Sequence, residues 1–126
     1  MGVRSLSLWA PVIVYMGSIF YASSLPEVTL PPGGDKPWHL IGYTGFGIVV
    51  ARAFAGGFFR RMAGPAVAFA VAFGIAYAVS DEIHQMFVPG RSAELADLVA
   101  DSLGVTVGTA ACWACGIIAR FSRDER

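Results

Sequence analysis

"PAVAFAVAFGIAYAVSDEIHQMF", Pro65–Phe87, runs from unbroken oil into a cluster of ionisable groups without a loop between them. From Pro65 to Ser80 there is no charged residue, and Asp81, Glu82, His84 and Gln85 then follow within five positions. The stretch reaches the roughly 20 residues that a membrane-crossing helix needs. It lacks the two-residue alternation of a barrel strand, so a helix is the only spanning form open to it. Residues three and four apart share a helix face. Ala66, Ala70, Gly74 and Ala78 therefore form a ribbon that predicts close approach of a second helix, and Tyr77, Asp81, His84 and Gln85 form a polar stripe above it. Glu82 points about a quarter-turn away.

Three more segments repeat this design. "LSLWAPVIVYMGSIFYASS" (Leu6–Ser24) is uncharged and is expected to be a retained span rather than a cleaved leader, given Pro11 and the aromatic Tyr15, Phe20 and Tyr21. The others run from Pro37 to about Ala55 and from about Leu98 to Ile118, separated by "LPEVTLPPGGD", "GGFFRRMAGP" and "VPGRSAE". The composition agrees: 56% of residues are hydrophobic and 14% charged, against roughly 25% charged in a soluble domain. The fold class expected is all-α, a polytopic membrane protein with four transmembrane helices in a bundle, over about 6–24, 37–55, 65–87 and 98–118. A formal net charge of zero offers no basic field for nucleic acid. Cys112 and Cys115 stand as C-x-x-C inside apolar sequence and are expected to be packing residues, not a redox pair.

Arginine sets the orientation. Arg4, Arg52, Arg60, Arg61, Arg120, Arg123 and Arg126 fall at the termini and around the middle loop, whereas the other two loops hold only Lys36 and Arg91. The positive-inside rule then puts both termini in the cytoplasm, in a multi-pass protein of the cytoplasmic (inner) membrane. One charge at the centre of a span costs about 2.5–3.5 kcal/mol. Placing Asp81, Glu82, Arg91, Asp97 and Asp101 there together would exceed roughly 10 kcal/mol. The cluster is therefore expected near the helix ends, at the outer face.

On that face Asp35, His39 and Tyr43 are four apart with Gly47 below them. Asp97 and Asp101 are four apart above Gly104, Gly108, Cys112 and Gly116. The expected ligand-binding set is Asp35, Lys36, His39, Tyr43, Asp81, Glu82, Gln85, Arg91, Asp97 and Asp101. Arg91, after the turn-forming Pro89 and Gly90, is expected to fold back over Asp81, Glu82, Asp97 and Asp101. If the site is catalytic, His39, Glu82 and His84 are the candidate acid–base groups. No metal signature such as H-E-x-x-H is present, and no cofactor is expected. Three roles stay open: binding an anionic envelope component through Lys36 and Arg91, metal-assisted catalysis, and a structural assembly module locked by ion pairs. The partners expected are the lipid bilayer and a lipid-linked or cell-wall precursor, with oligomeric state undetermined.

"DKPWHLIGY", "SDEIHQMFVPGRSAELADLVADSLGVTVG" and the polar Ser23–Ser24 closing the first segment resemble the VanZ-like family of small integral membrane proteins. The likeness spans nearly the whole chain and implies one VanZ-like transmembrane domain over 1–126. Asp35, Lys36, His39 and Tyr43 correspond to the family's first motif, and Glu82, Gln85, Phe87, Arg91, Asp97 and Gly104 to its second. Asp101 departs from the pattern, which has Asn there, and adds a negative charge. The resemblance implies a cell-envelope role and a link to glycopeptide (teicoplanin) antibiotic resistance.

Overall fold

A computed structural model describes residues 2–26 and 34–124. Most of the expected breaker "LPEVTLPPGGD", and Arg126, lie outside these. The described chain is all-helical: α1 (Val3–Ser23), α2 (Lys36–Ala55), α3 (Gly64–Gln85) and α4 (Leu95–Asp124). Pro37 and Pro65 stand in the first turns of α2 and α3, where a missing N–H costs nothing. Gly56, at φ 75°, closes α2, with the Gly57 N–H donating to the Arg52 carbonyl. That is the left-handed closure that favours glycine.

Pro11 lies inside α1 and cannot donate to the Ser7 carbonyl. Arg52, reaching across from α2, donates to that carbonyl at 3.2 Å and supplies the missing partner.

α1, α3 and α4 (Leu95–Ser122) are each long and apolar enough to cross a membrane. α2 falls short by composition, since Lys36, His39 and Arg52 interrupt it. Its surroundings explain this. α2 packs against all three other helices, whereas α1 and α4 do not meet. Tyr43, Phe46, Val50, Ala51 and Ala53 of α2 are buried, so much of its surface meets protein and needs no lipid-compatible side chains. α4 instead exposes Leu95, Val99, Leu103 and Val107 along one stripe.

The α2–α4 seam is made by absence of side chains. A Cβ at Gly104 would lie 2.6 Å from the Leu40 carbonyl oxygen, one at Gly108 would strike the Thr44 carbonyl, and one at Gly47 would lie 2.5 Å from the Val105 carbonyl. Where α3 meets α4, Gly74 faces the Val105 side chain. Beneath the polar end, Phe46 is fully buried among the rings of Tyr15, Tyr43, Phe73 and Tyr77.

The helices alternate in direction, so the molecule has two unlike ends. At one, Arg4 donates to the Gly56 carbonyl and Gly116 approaches Arg60. At the other, the C-termini of α1 and α3 meet the N-termini of α2 and α4 through hydrogen-bonded acids.

Candidate functional site

That second end gathers nearly every polar residue singled out in the sequence, and it does so in two layers. On the α1 side Asp81, 4% exposed, accepts hydrogen bonds from Ser23 Oγ (2.5 Å) and from the Tyr43 hydroxyl (3.2 Å). One carboxylate thereby ties α1, α2 and α3. On the α4 side His39 Nδ1 lies 2.9 Å from Asp101 Oδ1, while its Nε2 faces Asp35 (3.7 Å) and Asp97 (3.9 Å). Glu82, a quarter-turn from Asp81, faces α4 and accepts the Glu94 backbone N–H at 3.0 Å.

Lys36 is committed. Its ammonium pairs with Glu94 (2.8 Å), Asp97 (3.1 Å) and Asp35 (3.3 Å). The bonds to Glu94 and Asp97 hold the lysine above its ordinary pKa. Partial burial pushes Asp35 upward, but the bond to Lys36, a backbone hydrogen bond and the charges of Lys36 and His39 together outweigh it and keep the carboxyl below its usual range. Among the described residues six carboxylates (Asp35, Asp81, Glu82, Glu94, Asp97 and Asp101) gather at this end, and Lys36 pairs with three of them.

Two acid oxygens are left over. Glu82 Oε1 and Asp101 Oδ2 are buried with neither a hydrogen bond nor an ion pair among the described residues. Asp97 Oδ1 also makes no hydrogen bond, but the Lys36 ammonium stands 3.1 Å away. Two groups have ligand atoms within 4.8 Å of one another: Asp35, His39 and Asp97, and His39, Glu82 and Asp101.

Beside the acids a cavity of about 270 Å³ opens between α1, α2 and α3. Ile19, Ala22, Trp38 and Gly42 give it apolar walls; Ser23, Asp35, His39, Tyr43, Asp81 and Gln85 give it a polar side, with Arg91 at its edge. Gln85 is buried.

Arg91 does not fold over the acids as expected. Gly90, at φ 78°, and the Arg91 N–H to Val88 carbonyl bond make a tight turn. The guanidinium then donates to the carbonyls of Leu25 (3.0 Å) and Ala22 (3.3 Å). The reason lies in α1, whose last turn has no basic residue. Its unpaired C-terminal carbonyls attract a cation from elsewhere in the chain. Arg91→Lys keeps the charge and loses one of the two bonds. It is expected to lower stability by about 1 kcal/mol, and Arg91→Ala by more, in thermal unfolding of the detergent-solubilised protein.

His84 also stands apart from the acids: it stacks on Phe20 at 4.3 Å and shares a hydrogen bond with Ser24 Oγ. Of the three candidate acid–base groups, His39 and Glu82 come together and His84 joins α1. Two site residues went unselected in the sequence. Ser23 had a signal, a serine pair at the exit of an oily helix. Glu94 had a weaker one, an acid one helical turn before Asp97.

Comparison with known proteins adds one match. The family profile described as VanZ/LLP1 matches residues 14–118, from the second half of α1 through most of α4, and takes in both polar layers. No curated protein and no solved structure matches the chain significantly.

Proposed function

The chain belongs to the VanZ/LLP1 family, and from that premise we propose that it is a multi-pass protein of the cytoplasmic membrane whose acid-rich end receives the polar head of an envelope amphiphile, a lipid-linked or cell-wall precursor. The membrane character rests on the family and on the apolar helices. In this reading α2, over 37–55, is the fourth span, admitted because its neighbours shield it. Both termini are cytoplasmic, by the arginines gathered at the opposite end, and the acids face outward.

The observation that carries the reading is the two-sided cavity. Its lining combines apolar groups with hydroxyl, carboxylate, imidazole and amide groups, which suits a molecule with a lipid tail and a polar head. Trp38, largely exposed at the start of α2, sits where interfacial aromatics belong. Gly42 lines the cavity and a Cβ there meets nothing within 4 Å. Gly42→Phe is therefore expected to add bulk to the cavity while leaving every acid in the sequence. Native mass spectrometry from membrane vesicles should show an amphiphile adduct on the wild type that is lost in Gly42→Phe. An adduct equally abundant in both would defeat the proposal.

A second reading, metal-assisted catalysis on the same amphiphile, draws on the meeting of His39 with Glu82 and Asp101. Recovery of the adduct as intact precursor favours binding, and recovery as a cleaved product favours catalysis.

Orientation is tested separately. In a chain carrying Cys112→Ala and Cys115→Ala, Ser92→Cys should react with an impermeant thiol reagent added outside the cell. Ala63→Cys, at the basic end, should react only after the membrane is opened. The reverse pattern would place the acids in the cytoplasm.

A further inference from the structure

We propose that His39, Glu82 and Asp101 bind a divalent metal ion. The first ground is the pair of orphaned oxygens. Asp101 is 0% exposed and Glu82 is 6% exposed, yet Asp101 Oδ2 and Glu82 Oε1 have no donor among the described residues. Buried polar atoms are satisfied in folded proteins, and exceptions point to an absent ion, water or proton. The second is spatial: ligand atoms of the three residues lie within 4.8 Å of one another, drawn from three different helices. The third is charge. In the neighbouring group of Asp35, His39 and Asp97, Lys36 already stands against both acids. Among the described residues it makes no ion pair with Glu82 or Asp101, so the deeper group has no lysine or arginine against it.

The donor set chooses the metal. One imidazole with two carboxylates suits Mn²⁺ or Zn²⁺, whereas Ca²⁺ prefers oxygen alone. His39 Nδ1 and Asp101 Oδ1, 2.9 Å apart, form a hydrogen bond, which a metal ion taking the imidazole would replace while Asp101 Oδ2 remains open to it. Glu82 is oriented by the Glu94 N–H on its other oxygen, the kind of outer support that metal-bound carboxylates use.

The inference deepens the proposed headgroup reading without depending on it. The two cations expected to meet an anionic head, Lys36 and Arg91, are both engaged by protein oxygens. A metal held by His39, which also lines the cavity, supplies the positive charge that an anion entering this acidic end requires.

The test uses the full chain in detergent, stripped with chelator and titrated with MnCl₂ or ZnCl₂ in the absence of any amphiphile. Saturable binding is expected for the wild type, with a rise in melting temperature. Bound Mn²⁺ should show nitrogen coupling in pulsed electron paramagnetic resonance, and His39→Gln should abolish that coupling. Asp101→Asn and Glu82→Gln should each weaken binding at least tenfold, while Asp97→Asn should retain it. The proposal fails if the wild type binds neither ion, if bound Mn²⁺ shows no nitrogen coupling, or if Asp97→Asn loses the ion and Asp101→Asn keeps it. Should Asp101→Asn not fold, the wild-type nitrogen signal still decides. Headgroup binding is read separately by the mass-spectrometric adduct, so either result can fail alone.

Discussion

Gly108→Ala is expected to unfold or severely destabilise the protein, by about 3 kcal/mol or more, although alanine is the better helix former by about 1 kcal/mol. The new methyl would meet the Thr44 carbonyl and stand 2.9 Å from the Ile48 nitrogen. Both are backbone atoms of a helix, so no rotamer change relieves the clash, and α2 and α4 must separate along their longest seam. Gly74→Ala makes the comparison sharp. Its Cβ would meet Val105 Cγ1 at 2.5 Å, a side chain that can shift, and about 1–2 kcal/mol is expected. Gly17→Ala meets nothing within 4 Å and should be neutral or slightly stabilising. Thermal unfolding of the three variants in one detergent gives the ranking. A Gly108→Ala protein as stable as Gly17→Ala would mean that the seam is looser than described.

Asp81→Ala is expected to cost roughly 2–4 kcal/mol, because the buried Tyr43 hydroxyl loses its acceptor, at about 1–3 kcal/mol for an unpaired buried donor, and Ser23 Oγ is left with the Phe20 carbonyl alone. Removing a negative charge from an acid-rich end works in the opposite direction. The loss wins because Asp81 is the one acid there held by two neutral donors, Ser23 and Tyr43, and because alanine cannot fill its volume. Asp81→Asn keeps one acceptor oxygen and should lose about half as much. Tyr43→Phe removes the stranded donor, so Tyr43→Phe with Asp81→Ala should be less damaging than the sum of the two. Strict additivity would show that the Tyr43–Asp81 bond contributes nothing.

Much of this architecture could be read from spacing. Four-residue repeats of small side chains in Pro65–Phe87 and Leu98–Ile118 mark surfaces that admit another helix, and acids four apart at the same helix ends mark one polar end. These are periodic, local properties, so sequence carries them. What it did not carry depends on partners distant in the chain. The direction in which Arg91 leaves its turn follows from the carbonyls of α1, 66 residues earlier. The quarter-turn between Asp81 and Glu82 was visible, but not that it sends one to α1 and the other to α4. Glu94 became part of the site because its carboxylate pairs with Lys36 and its backbone N–H, just ahead of α4, meets Glu82. The apolar deficit of α2 was masked by its length, and its meaning emerges only once three neighbours surround it.

The glycine seam joins α2 to α4 across a whole intervening helix, and this imposes an order on biogenesis. A ribosome delivers α2 well before α4, and until α4 arrives α2 must wait with His39 and its glycine face uncovered. It is also the helix least suited to stand alone in lipid. α1 and α3 are apolar enough to enter a bilayer as they emerge, whereas α2 is covered only when the last helix arrives. A chain interrupted after α3 would then leave α2 as the segment open to quality-control proteolysis, with α4 acting as the closing member that releases the protein from surveillance.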